Sequence, residues 1–408
     1  MLKFQRTLLF ASLAILANLF AAPVFANDGD PIAVRRWPDG AISVETHWGL
    51  HIVVDPSEQT GKLLPRKADQ VVRTKKTIAH TLSRQPNQEK PEWKPLNQDQ
   101  SKLNTVQIQS ILSPPGSSQA LAMFADGATL IFVPHRVLAS PDAIEKVIFP
   151  YQSVDLLVLS TSDSSTLTKP QITKFVSDVK PRKILLNVSG ELSKTDLTSF
   201  QTAIGADKPV TAVGHNTLAI SKPKNDKKGA TSGTSHSVEV VTLTDKPWEM
   251  PDDLSKLFVA MEKSCADSQK VFAKLSVDQM NFKPSNGTHT PRWNTEHMMG
   301  RRLGFFSQIY NKIDSSIPVL DLNPKQMPPD YRFAHPDWDG KEEARQMQRV
   351  SEFTRRFAYL LDGLDVNKRA PGSRWPSLKA LLVQMFRHYT EHTGNTVKKF
   401  DLPDFPKK

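Results

Sequence analysis

Residues 388–400 read HYTEHTGNTVKKF, with two histidines four residues apart and an acid, Glu391, directly before the second. On a helix that spacing projects both side chains from one face about a turn apart, so both rings can reach a single ion. Upstream, residues 293–303 (WNTEHMMGRRL) carry a further histidine, His297, early in a segment of helical period. Neutral imidazole is a common ligand for divalent transition metals, which makes His297, His388 and His392 the candidate metal ligands. A buried histidine pair without partners is costly, because each ring has a donor and an acceptor to satisfy. Two rings bonded to side chains or water are the alternative reading of the pair.

HYTEH also fits H-x-x-E-H, the inverted zinc-peptidase pattern, in which Glu391 would be the general base. That chemistry needs a further acidic ligand well downstream, and only Asp401 and Asp404 follow, in a Pro-rich tail. The forward pattern H-E-x-x-H fails because Tyr389 follows His388. Glu391 and Glu296 each adjoin a candidate ligand, which on a helix turns them about 100° away. Both are expected to be solvated or salt-bridged. Tyr389, Trp293 and Arg292 are candidates to line the site, although core packing or surface pairing accounts for each. His289 and His335, in loops, are expected to face solvent.

Four segments of helical period would position these residues. Segment 251–275 has Leu254, Leu257, Phe258, Met261 and Cys265 on one stripe and Asp252 and Asp253 in its first turn. Segment 294–313 is expected to be capped by Asn294 or Thr295, after a turn-rich stretch 281–294. A Pro-rich loop, 318–340, precedes segment 341–364, with Met347, Val350, Phe357 and Leu361 on one face. In segment 377–400, Leu378, Leu381, Leu382, Met385, Tyr389 and Val397 are the apolar positions, and steps of three and four from Leu381 reach His388 and His392. Residues 247–408 therefore predict an all-α four-helix bundle.

The early histidine of the second helix, H-x-x-x-H near the end of the fourth, the loop KPSNGTHTPRWNTEHM and the closing FRHYTEHTGNTV resemble the DinB-like (DinB/YfiT) superfamily of metal-binding bundles, over about 251–400. The resemblance implies that His297, His388 and His392 hold a divalent ion, zinc or nickel, with positions left open for water or substrate. It also implies relatives that include thiol-dependent transferases and isomerases. The 318–340 loop departs from a minimal bundle.

Residues 27–222 carry strand signals: alternation in ISVETH, an apolar GLHIVVDP, and QALAMFADGATLIFVPH as a hairpin around Asp126-Gly127. Alternating elements follow: strand 154–160, helix 168–179 with Pro170 in its first turn, strand 183–188, helix 192–205, then TAVG and TLAIS. This order predicts a layered α/β sandwich. It resembles the metallo-β-lactamase fold, on HIVVDP followed by KADQVV. Where that family has H-x-H-x-D-H this chain has RTKKTIAHTLSRQ, with His80 alone, and Pro134-His135-Arg136 replaces a Gly-Asp. The resemblance thus implies a degenerate domain without its metal ligands, in which His47, His51, His80 and His135 are structural.

Residues 1–26 read as a signal peptide: Lys3 and Arg6, an apolar run 8–20, then Val24-Phe25-Ala26. The mature chain is expected to be exported, to the periplasm or the extracellular space, with no membrane span after cleavage. A polar, basic stretch within 223–246 reads as a linker. The net charge of +11 is not gathered into a recognisable motif, and with export it predicts no specific nucleic-acid partner. Cys265 is the only cysteine, so no internal disulfide forms, and a buried, inert thiol is expected. The functional expectation is a metal-dependent hydrolase or transferase acting on a small substrate. The alternative is a non-enzymatic envelope interaction protein whose metal is structural or vestigial.

Overall fold

The computed structural model describes residues 31–46, 49–65, 68–74, 106–111, 120–134, 137, 154–161, 170–188, 192–206, 210–221, 238–320 and 336–407. The expected signal peptide, His47, His80, His135, His335, residues 222–237 of the linker region and 321–335 of the Pro-rich loop lie outside them.

Along the chain come β1 (Ile32–Arg36), β2 (Ile42–Glu45), β3 (His51–Val54), α1 (Glu58–Leu63), β4 (Gln70–Val72), β5 (Gln107–Ile111), β6 (Ala120–Ala125) and β7 (Ala128–Pro134). Then follow β8 (Leu156–Thr161), α2 (Pro170–Val179), β9 (Lys183–Val188), α3 (Lys194–Ala203), β10 (Thr211–Val213), β11 (Thr217–Ile220) and β12 (Glu239–Leu243). The β6–β7 hairpin turns where the sequence said it would. Asp126 and Gly127 have φ of 46° and 78°, the left-handed pair that a two-residue turn matched to strand twist requires.

Two sheets result among the described residues, ordered β11-β1-β2-β3-β4 and β10-β12-β9-β8-β7-β6-β5. Period-two alternation gives each sheet two faces. Ile32, Val34, Val44 and Ile52 of the smaller sheet share a core with Leu121, Leu130, Leu156 and Val158 of the larger. The opposite face of the larger sheet, through Ile131, Leu157 and Ile184, packs on Ile172 and Phe175 of α2 and Phe200 of α3. The α/β part is therefore layered as expected. One boundary moves: β12 falls inside the stretch read as linker, yet it pairs parallel with both β9 and β10. Its Val240 and Val241 are buried on opposite faces of the sheet, and a polar average over 223–246 conceals that short apolar run.

The C-terminal region is helical: α4 (Asp252–Phe272), α5 (Val277–Asn281), α6 (Pro291–Ile313), α7 (Gly340–Arg356), a 3₁₀ turn (Ala358–Leu361) and α8 (Leu378–Val397). The long helix α4 contacts α7 and α8, and α6 contacts the same two. Phe258, Met261, Phe306, Met347, Phe353, Leu381 and Met385 fill the space between them. Val397, expected on the apolar stripe, is instead exposed. The third segment also ends sooner than expected, with α7 stopping at Arg356 and a tighter 3₁₀ turn following. Gly340 opens α7 against the end of α4, its N–H donating to Leu275 O at 2.9 Å. A Cβ there would lie 1.8 Å from Phe272 O, so the close approach admits only glycine.

The helical region is not tethered by a linker alone. Ala33 and Ala219, cross-strand partners on the outer face of the smaller sheet, belong to the same core as the helices. Arg356 Nη2 pairs with Glu45 Oε1 at 3.0 Å, and the rings of His215 and Tyr359 lie 4.5 Å apart. The helices thus form a further layer on the smaller sheet.

Arg292, read as a candidate to line the site with core packing or surface pairing as the alternatives, is fully buried. Its guanidinium donates to Asn281 Oδ1 (2.6 Å), Glu343 Oε1 (2.7 Å), Pro336 O (3.1 Å) and Trp338 O (2.5 Å). It therefore clamps α5, α6, α7 and the end of the Pro-rich loop together. Burial and the neighbouring Glu296 push Glu343 up to about 8, against the pull of Arg292. Glu296 is itself buried, so of the two expectations for it, solvated or salt-bridged, the solvated one does not hold. Removing one partner of such a pair strands the other in a dry site. Arg292→Met should lower stability by about 3–5 kcal/mol, read from urea unfolding midpoints. A loss near that of an ordinary surface substitution would contradict the clamp.

Candidate metal site

The second long helix starts one turn earlier than the sequence suggested. Thr290 is its N-cap, accepting from Trp293 N–H at 3.0 Å, and Pro291 takes the first helical position, where a missing N–H costs nothing. Asn294, read as a cap, is therefore an interior helical residue. Trp293 becomes helical too, one turn before His297, and their rings stack with centroids 4.3 Å apart and 14° between planes. His289, in the preceding loop, stacks on the other face of Trp293 at 3.6 Å and 8°. His289 is exposed as expected, but it belongs to the wall of the site.

The structure brings the three candidate histidines together. His297 on α6 faces His388 and His392 on α8, with ring centroids 4.8 Å and 5.0 Å away, and the two α8 rings are 4.5 Å apart. One nitrogen from each ring lies within 4.8 Å of the others. Tetrahedral ligation at about 2.0–2.1 Å needs nitrogens roughly 3.3 Å apart, a contraction that rotation of the rings can supply. Among the described residues this is the one group of three or more His, Cys, Asp or Glu side chains able to hold a metal ion. His51, by contrast, is buried in β3 and is not a member of that group.

Asn294 fixes the third ring. Its Oδ1 is 3.0 Å from His392 Nδ1, and its Nδ2 donates to Thr396 Oγ1 at 2.9 Å. A carboxamide oxygen only accepts, so Nδ1 of His392 carries the hydrogen and Nε2 keeps a free lone pair. This is the orienting contact that ligating histidines need. Nδ1 of His388 is buried without a hydrogen-bond partner among the described residues.

Electrostatics keep the rings neutral. Burial, then the neighbouring rings and Arg301, hold His297 and His388 down to about 3. Burial, then His289 and Lys399, hold His392 down to about 4. All three are thus in the ligating form at neutral pH. Glu391 is exposed, as expected of a residue turned off the ligand face. Tyr389 is fully buried beneath the guanidinium of Arg302, so it belongs to the core and not to the wall of the site. Cys265 is buried, as expected, and accepts from Gln269 Nε2 at 3.3 Å.

Sequence reasoning named the three candidate ligands and Trp293 as a candidate lining residue, but not the roles of Asn294 and His289. The available signal was the spacing of Trp293 and Asn294, four and three residues before His297, which becomes meaningful only once the helix is known to begin at Pro291.

The chain matches no protein-family model and no curated protein. Among solved structures it is similar to a metallo-β-lactamase superfamily protein from Thermotoga maritima, at 15% identity and a TM-score of 0.33, over 52% of this chain and 100% of that one. A likeness at that level carries no weight for fold or function.

Two outcomes test the site. Asn294→Ala frees His392 to rotate, and should weaken zinc binding by about tenfold or more in competition with a chromophoric chelator. Unchanged affinity would remove Asn294 from the site. For the metal-free protein, the unfolded rings take up protons near the ordinary 6.5, while the folded rings stay neutral to about 3–4. The unfolded state therefore binds more protons between these values, and stability falls as pH drops through that window. His388→Gln should make the loss between pH 7 and pH 5 shallower by on the order of 1–2 kcal/mol, and identical pH profiles would refute the neutral buried ring.

Proposed function

We propose that this protein holds one divalent cation, zinc or nickel, on His297, His388 and His392, and acts as a metal-dependent hydrolase or transferase on a small substrate. The observation that carries the reading is the convergence of three neutral imidazoles from two helices, one of them locked by Asn294 in the tautomer that leaves Nε2 free. A three-histidine site leaves coordination positions open, and a cation bound there supplies Lewis acidity to a water or substrate atom. The protein's own part is to orient the rings. Trp293 sets the plane of His297, Asn294 sets that of His392, and the buried surroundings keep all three rings unprotonated. The packing of four long helices favours the four-helix bundle and the DinB-like kinship read from the sequence motifs. The layered α/β part is compatible with a degenerate metallo-β-lactamase-like domain that has lost its own metal. Export behind a cleaved signal peptide completes the reading, and among the described residues no helix is long and apolar enough to cross a membrane.

A structural metal in a non-enzymatic envelope protein is the competing reading, favoured by the burial of His388. Purified protein should contain stoichiometric metal by elemental analysis, lost in His388→Ala and His392→Ala. If the site is catalytic, His297→Ala should abolish metal-dependent turnover of small chromogenic esters or thiol-acceptor electrophiles with little change in Tm. If it is structural, the same substitution should lower Tm by about 10 °C or more, with no turnover in the parent protein. Full metal content in both α8 variants would overturn the assignment of ligands.

A further inference from the structure

The surroundings of the three histidines are charged in one sense only. Apart from burial, the groups that act on the rings are other histidines, Arg301 on His297 and His388, and Lys399 on His392. The two acids beside the ligands in sequence do not join them: Glu391 is exposed, and Glu296 acts on Glu343 in the buried clamp. Neutral ligands cannot cancel a divalent charge, so a cation bound here would keep its full +2 beside two further cations.

Those two cations have no acid of their own among the described residues. Arg301, one turn beyond His297 and on the same face of α6, is half-buried and makes no ion pair there. Lys399 is 3% exposed, and its Nζ donates to a single acceptor, the backbone Asn395 O, at 2.7 Å. An ammonium has three donors, and a buried one with a single neutral acceptor is poorly compensated. Lys399 lies just past the C-terminal end of α8, in the turn after Val397, and acts on the His392 ring. Of the surrounding rings, His297 and His392 are half-buried and His289 is exposed, whereas His388 is buried.

Resting on the metal reading above, we propose that the ligand completing this site is a small oxyanion, a carboxylate or phosphate group, held against the metal by Lys399 and Arg301. A neutral molecule would leave both side chains uncompensated. An oxyanion offers several acceptor lone pairs for charge-assisted hydrogen bonds from ammonium and guanidinium. The same field would draw such substrates to the site and disfavour cationic ones.

The test uses the full mature chain loaded with Co(II), whose visible absorption reports ligands at the metal. Titration with acetate and with inorganic phosphate should shift the bands, and whichever binds more tightly identifies the class of oxyanion. Lys399→Met and Arg301→Gln should each raise the anion Kd by about tenfold, while Lys399→Arg restores it. Binding of neutral imidazole to the same metal should not change in any variant. If Co(II) binds but neither anion alters the spectrum, or if the charge-removing variants bind anions as the parent does, the oxyanion assignment is wrong and the metal site stands. If no Co(II) binds to a folded parent chain, the metal reading itself fails and this inference falls with it.

Discussion

Between α6 and α8 a single carboxamide spans the gap. Asn294 accepts from His392 with its oxygen and donates to Thr396 with its nitrogen, and the amide and its Thr396 partner are buried. A buried amide left half-satisfied is expensive, so this pair of bonds favours one register of the two helices. In that register His297 faces the i, i+4 pair of α8. A shift of α6 by one residue would turn His297 by about 100° and leave His388 and His392 without a third ring.

Other features serve the same register. Thr290 and Pro291 start α6 early enough for Trp293 to stack under His297, and Arg292, next in the chain, turns the other way into the clamp with Glu343. Three consecutive residues, Arg292, Trp293 and Asn294, thus fasten the helix to α7, to the His297 ring and to α8. The polar clamp and the neutral histidines differ in their electrostatics. In the clamp the Arg292 guanidinium pairs with the buried Glu343 carboxyl beside a second acid, Glu296, whereas the charged groups that act on the histidines are, among the described residues, cations. That segregation of charge underlies the proposed preference of the three-histidine site for anionic ligands.

Much of the fold was legible because its signals are local. Asp126-Gly127 can turn a hairpin with few alternatives, Pro170 and Ser193 mark helix starts, and the apolar spacing of α4 and α8 is strongly helical. The misreadings share a different cause. β12 is five residues in a polar neighbourhood, and only its partners β9 and β10 make it a strand. Glu296 looks like a solvated residue by type, because the burial of a charge is set by packing against other helices that no local pattern marks. The contact of Ala33 and Ala219 with the helices has no local mark, since small residues on a strand acquire meaning only when another layer covers them.

By itself the sequence picked out the candidate set: three histidines, two placed on one helical face by their i, i+4 spacing and a third on a segment of the same period. Helical periodicity fixes which residues share a face, and that is a property of one segment. Tertiary structure decided which face meets which, and therefore the tautomer of His392, the neutrality of the rings and the cationic rim formed by Arg301 and Lys399. Those depend on burial and on partners about a hundred residues away, which no local pattern encodes.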